Sequence, residues 1–222
     1  MHALLVYAHP EPTSFTGALK DAAAEALRSA GHSVEVSDLY AEGFNPVAGR
    51  HDFLSAHDAK RFHYQSEQDH AHRTNSFAPD IVREQQRFLK AHLVIWLYPI
   101  WWGGVPAIVK GWFDRVLAYG FAYSDGRRYD SGFFRDKSGL ICLSTGGTEA
   151  RFSETGVYGT MDQVLWPVQR CMVEYLGIDA LPPFVAYAAP RVDQTTREAY
   201  LRAWRTRLLD IAATIDVAAA PA

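Results

Sequence analysis

Cysteine is scarce in this chain, with two among 222 residues. A disulfide framework needs several pairs, and each of these two falls in an apolar run. Cys142 is strand-like and Cys171 helical, so both read as buried thiols. An excess of one charge is also missing. Twenty-two Lys and Arg against 25 Asp and Glu leave a net charge of -3, which sets aside nucleic acid and anionic membrane as partners. No run reaches the ~18 apolar residues that cross a bilayer, and residues 1–6 lack the basic opening of a signal peptide, so a cytoplasmic protein with no integral membrane segment is expected. GxGxxG, GxxxxGK[ST] and GxSxG are all absent, which removes the dinucleotide fingerprint, the P-loop and the hydrolase elbow around Ser14 or Ser144. His51, His57, His63, His70 and His72 crowd one polar stretch. With neither cysteine nor an HExxH spacing beside them, no metal site is expected there, only a largely solvated loop.

What is present is a 48% hydrophobic chain, long enough for one sizeable core and a single domain over residues 1–222. Buried strands are expected at 3–8, 93–97 and 138–144, an alternating strand at 34–39 and a short strand at 184–187. Helices are expected at about 17–30, 80–89, 106–118, 161–176 and 194–212, with Pro79 suited to a helix start. Residues 41–78 form a long polar insertion, and a small-residue tail from about 214 should fray. Strictly alternating elements predict an α/β fold, a doubly wound five-stranded parallel sheet with helices on both faces. Ligands bind such sheets outside the carboxyl ends of the strands.

Three loops would converge there. After the first strand, Thr13, Ser14 and Thr16 offer hydroxyls and amides at a helix N-terminus. An anion cradle and ordinary N-capping explain these residues equally well. After the third strand comes Tyr98-Pro-Ile-Trp-Trp-Gly-Gly-Val-Pro106. Two adjacent tryptophans are hard to bury together, so Trp101 or Trp102 would face a flat ring while amides from Ile100 to Gly103 meet its polar rim. Aromatics with free amides suit an isoalloxazine. After the fourth, Thr145-Gly-Gly147 can aim consecutive N–H groups at an oxygen that becomes negative.

Ala8-His9 with Thr13-Ser-Phe15, Phe44-Asn-Pro46, Phe62-His-Tyr64, Tyr98-Pro99, the run from Gly104 to Phe113, Phe121-Ala-Tyr123, Thr145-Gly-Gly147 and Leu165-Trp-Pro167 occur in the order of a known family. The chain resembles the flavodoxin-like NAD(P)H:quinone reductases of the DT-diaphorase type, with their bacterial and potassium-efflux ancillary relatives, over about residues 3–210. The resemblance implies a homodimer that binds FAD in preference to FMN and uses NAD(P)H as co-substrate. Nicotinamide and then a quinone-like acceptor would occupy one space in a ping-pong reaction. It implies that His9, Thr13, Phe15, Thr16 and His63 hold the phosphate and adenosine side of the cofactor. Ile100, Trp101, Trp102 and Gly103 would line its ring, with Thr145, Gly146 and Gly147 at the pyrimidine edge. Tyr123 of one subunit would roof the other's substrate space.

The chain departs from the animal enzymes at Phe152, where they carry tyrosine, and at Tyr158, commonly histidine. Tyr158 is then left to supply a hydrogen bond at the cofactor's O2 side, acting with Gly146 and Gly147. Asp125 in place of a second roof tyrosine, and Gly103 in place of an aromatic, predict a more open and more acidic acceptor space. The competing role implied by the relatives is a redox-sensing subunit of a potassium-efflux system, with a membrane-transporter partner.

Overall fold

A computed structural model describes residues 1–219, with side chains through Ile215. Five parallel strands, β1 (His2–Tyr7), β2 (Ser33–Asp38), β3 (Leu93–Pro99), β4 (Ser138–Ser144) and β5 (Asp179–Ala186), form one sheet in the order β2-β1-β3-β4-β5. Between and after them run α1 (Phe15–Ser29), α2 (Tyr64–Thr74), α3 (Pro79–Lys90), α4 (Ala107–Val116), α5 (Met161–Val168) and α6 (Gln194–Ala219). This is the doubly wound sheet that the alternation predicts, in the flavodoxin-like order that the resemblance implies.

Side chains alternate across each strand, so a strand buried on both faces must be apolar throughout. β3 does this fully: Val94, Trp96 and Tyr98 pack with α3, α4 and α5, while Leu93, Ile95 and Leu97 pack with α1 and α6. Trp96, Trp112 and Trp204 are fully buried anchors of the two layers, each worth about 3–5 kcal/mol against truncation to alanine.

Four expectations need correction. Residues 41–78 are not mainly a solvated loop, since they contain α2 and a short helical turn at Arg50–Asp52, with Asp52, Glu67, Gln68 and Ala71 buried. Histidine-rich polar composition hid a helix whose inward face is itself polar. The single helix at 161–176 is instead α5 followed by a wide π turn at Gln169–Val173 and a 3₁₀ turn at Glu174–Leu176. Pro167 lies inside α5 without an N–H to continue the ladder. β5 begins at Asp179, earlier than expected, because its Pro182 and Pro183 sit on a sheet edge that tolerates proline, where pairing shifts register between Leu140 and Cys142. Cys142 is buried as expected, but Cys171 is exposed on the π turn.

α6 continues through Ala219, past the expected start of fraying, and the last residues of that tail, 220–222, lie outside the described residues. Among the described residues no helix is long and apolar enough to cross a membrane, and no group of ligating side chains could hold a metal.

The insertion is fastened by a buried polar knot. Arg115 of α4 donates from Nε to Asp52 at 2.8 Å and from Nη1 to the Asn45 carbonyl at 2.7 Å, and pairs with Asp80 at 2.9 Å. Tyr64 donates to the other Asp52 oxygen at 2.7 Å. Gly111 lets α4 approach this segment, since a Cβ there would lie 2.2 Å from the Pro46 carbonyl oxygen.

Candidate functional site

The loops after β1, β3, β4 and β5 enclose a cleft of two adjoining lobes. The first, about 940 Å³, lies between Ile100, Trp102, Gly103, Thr145–Thr148, Phe152, Tyr158 and Arg191. The second, about 650 Å³, lies over the start of α1 between His9, Phe15, Thr16, Trp101 and Arg197. Ile100, Thr145 and Gly146 line both.

The loop after β3 is a tight turn. Ile100 N–H donates to the Ser144 carbonyl at 3.0 Å, and Trp101 and Gly104 exchange backbone hydrogen bonds of 3.1 and 3.0 Å. The two residues between them are left-handed, Trp102 at φ 51° and Gly103 at φ 72°. Left-handed backbone costs a bulky residue on the order of 1 kcal/mol, a strain typical of functional loops. Its result is that Trp102 stands fully in solvent while Trp101 is 40% exposed. Neither tryptophan fills core. The expected row of free amides from Ile100 to Gly103 narrows to Trp102 and Gly103, because the Ile100 amide is bound to Ser144 and the Trp101 amide closes the turn.

Thr145 holds the loop after β4 open. Its hydroxyl donates to the Gly147 carbonyl at 2.6 Å and accepts from Ala188 N–H, which also donates to Gly147 at 2.8 Å. With the carbonyls so occupied, the successive N–H groups of Gly146 and Gly147 have no partner among the described residues. Two adjacent free amides form a small anion-binding concavity. The rings of Phe152 and Tyr158 pack behind it, tilted by 34° with centroids 5.0 Å apart, and a Cβ on Gly147 would come 3.1 Å from the Phe152 ring. Phe152 is 9% exposed and packs, whereas Tyr158 is 52% exposed beside the lobe.

At the start of α1, Ser14 caps the helix by accepting from Gly17 N–H at 3.1 Å. Capping and anion binding therefore divide the loop: Ser14 caps, while the first amides of α1 and its dipole face the second lobe. Two side chains expected to bind phosphate are otherwise engaged. Thr13 donates both its N–H and its hydroxyl to Glu11, at 2.9 and 2.7 Å, and these bonds lower the Glu11 pKa. The Thr16 hydroxyl turns inward to Ser144 at 2.9 Å and is buried. What these two can offer a ligand is backbone and surface, not hydroxyl. His9 contacts the edge of Trp101 at 6.4 Å, joining the first loop to the second.

Residues 1–208 match the family described as having a flavodoxin-like fold. The chain is 42% identical over 207 residues to NAD(P)H dehydrogenase [quinone] 1 of Rattus norvegicus, covering 93% of this chain and 76% of that one. The chain belongs to the flavodoxin-like NAD(P)H:quinone reductase family. A solved candidate quinone reductase from Klebsiella pneumoniae superposes with a TM-score of 0.91 at 37% identity, over 95% of this chain and 85% of that one. A shorter match, 37% identical over 133 residues, is the glutathione-regulated potassium-efflux system ancillary protein of Citrobacter koseri, covering 60% of this chain and 72% of that one.

For this family member the cleft of one chain gathers His9, Thr13, Phe15, Thr16, Ile100, Trp101, Trp102, Gly103, Thr145, Gly146, Gly147, Phe152 and Tyr158. Three expected site residues lie elsewhere. His63 caps α2 by accepting from Ser66 N–H at 3.3 Å and lines a separate concavity of about 810 Å³, so it does not join His9 within its own chain. Tyr123 borders that same concavity, its ring 5.5 Å from that of Tyr175, and burial raises its pKa. Asp125 is 86% exposed, paired with Arg128 at 3.4 Å, and contributes no acidity to the cleft of its own chain.

Sequence reasoning missed the loop between β5 and α6, which brings Ala189, Pro190 and Arg191 to the cleft, with Arg197 from the first turn of α6, and it missed Arg151 after β4. The signal was available. This loop also leaves the carboxyl end of a sheet strand, where the same rule that selected the other three applies.

Proposed function

We propose that this protein is a flavin-dependent NAD(P)H dehydrogenase acting on quinones or similar planar acceptors, with FAD held in the two-lobed cleft. The observation that carries the reading is the convergence of the unpartnered Gly146 and Gly147 amides, the exposed Trp101 and Trp102, and the N-terminus of α1 on one cavity. Those donors fit a planar ring with a polar edge and an attached phosphate chain. The second lobe reaches past α1 to His9 and Arg197, room that favours FAD over FMN. Bound there, the flavin supplies hydride transfer between nicotinamide and quinone, the two occupying one space in ping-pong order.

The protein's part is positioning and electrostatics. The tryptophan turn presents a flat apolar wall, and the Gly146 and Gly147 amides stabilise negative charge at the ring's oxygen edge without having to reorganise. Phe152 cannot donate a hydrogen bond, so of the Phe152 and Tyr158 pair the Tyr158 hydroxyl is the donor toward that edge. The working assembly is a homodimer in which Tyr123, with Asp125, closes the acceptor space of the other subunit. Support for this comes from Tyr123, Asp125 and His63 all lying outside the cleft of their own chain.

Anaerobic stopped-flow mixing with NADPH, followed by a quinone, tests the reading: the bound chromophore should bleach and then recover in two separable phases. Failure of either phase rejects it. The match to a potassium-efflux ancillary protein supports a second reading, a redox-sensing subunit of a membrane transporter. Co-purification with a transporter by a preparation that turns over no quinone would favour that role.

A further inference from the structure

Two guanidinium groups frame the glycine pair of the larger lobe. Arg191 donates Nη1 to the Gly146 carbonyl. Arg151 lies over Gly147, where an added Cβ would sit 3.5 Å from Arg151 Cδ, level with the ring of Tyr158 at the same distance. The backbone under each is fixed: Arg191 N–H donates to Ala188 at 2.7 Å, and Arg151 is tied through its N–H to Thr148 at 3.0 Å and through its carbonyl to Tyr158 at 3.1 Å. Forty residues apart in sequence, the two arise from different loops and meet at one edge.

Several other exposed arginines of this protein have carboxylate partners, as in Arg73–Asp69, Arg170–Glu174 and Arg205–Glu25. Among the described residues no carboxylate pairs with Arg151 or Arg191, and no acidic residue lines the lobe. The lobe's own lining therefore offers positive charge, and an acidic contribution from Asp125 would come only from the other subunit. An unpaired planar guanidinium beside an apolar wall matches a carboxylate or sulfonate geometrically and can stack on a ring as well.

We propose that Arg151 and Arg191 are specificity-determining residues for planar acceptors that carry an acidic substituent, a carboxylate or sulfonate on the ring. The inference rests on the proposed function, with the acceptor lying over the cofactor's ring in the larger lobe. Both side chains are exposed, so their effect is modest and screened by salt, about tenfold together at low ionic strength.

The test compares 1,4-naphthoquinone with its 2-sulfonate as acceptors for the flavin-loaded protein, in wild type, R151Q, R191Q and the double variant. The sulfonate-to-neutral ratio of kcat/KM should fall about tenfold in the double variant, and the wild-type preference should shrink in about 0.5 M salt. R205Q, whose arginine pairs with Glu25 away from the cleft, should keep the ratio. Binding of the redox-inert naphthalene-2-sulfonate, read from the flavin absorbance, should weaken by a similar factor.

An unchanged ratio overturns the proposal. So does an equal loss on both acceptors, which would place the arginines' effect on the cofactor, or a loss confined to reduction by NADPH, which would assign them to the dinucleotide. A colourless protein rejects the flavin reading itself, whereas a yellow protein that turns over both quinones without discrimination rejects only this inference.

Discussion

Arg115→Met should unfold more of this protein's stability than any surface change near the cleft. Arg115 is 1% exposed and Asp52 0%, and the guanidinium satisfies Asp52, Asp80 and the Asn45 carbonyl at once while lying over the Phe44 ring at 5.0 Å. Methionine keeps most of the volume but strands a buried carboxylate with only Tyr64, the Gly49 amide and the half-exposed His51 as neighbours. Breaking a buried pair on one side costs about 3–5 kcal/mol. An unfolding entropy of ~2.1 cal/mol/K per residue over a chain of this length gives ~0.47 kcal/mol/K, so the melting temperature should fall by about 6–11 °C. Thermal and urea unfolding of flavin-free protein, followed by circular dichroism, measures this without ligand linkage. The double variant Arg115→Met/Asp52→Asn should be more stable than Arg115→Met alone, because no charge is then left buried and unpaired. A loss below about 1 kcal/mol, or a double variant whose loss is the sum of the singles, would refute the assignment of this knot as the fastener of the insertion.

Trp102→Ala should leave unfolding free energy within about 0.5 kcal/mol of wild type while weakening flavin affinity, because the ring packs against nothing in its own chain. A stability loss near 3 kcal/mol would mean that the ring fills core. Tyr158→Phe should slow anaerobic reduction by NADPH about tenfold, the value of one partly exposed hydrogen bond to developing charge, and an unchanged single-turnover rate would remove Tyr158 from the mechanism. Ellman's reagent should titrate one thiol per native chain, Cys171, and two after unfolding; a second native thiol would contradict the burial of Cys142. Burial raises the Cys142 pKa well above 9.0. The folded state therefore keeps its proton where the unfolded state loses it, so stability is intact below pH about 9 and declines as pH rises toward the folded value. Cys142→Ala should flatten that alkaline decline, and an equally steep slope would assign it to other groups.

The sheet was legible because β1, β3 and β4 carry continuous apolar runs, Ala3 to Tyr7, Leu93 to Tyr98 and Leu140 to Leu143, and no competing period intrudes. The glycine and tryptophan loops were legible for a related reason: exposed aromatics and free amides at strand ends have few other uses. What escaped notice depends on tertiary context. α2 presents Glu67 and Gln68 inward, Glu67 to the His57 amide at 2.6 Å and Gln68 to the Asp114 carbonyl at 3.3 Å, so no hydrophobic stripe announces it. β5 carries two prolines that only its edge position excuses. The Thr13 hydroxyl suited phosphate until Glu11 claimed it, and Arg151 and Arg191 are ordinary in sequence, becoming a pair only when two loops meet over Gly146 and Gly147.

The central claim is that this cleft holds a flavin. Heat release of the chromophore from purified protein, with identification by mass and quantification by absorbance, tests it most directly. The account predicts FAD at about one per chain. A colourless protein that takes up neither FAD nor FMN when they are supplied would contradict it.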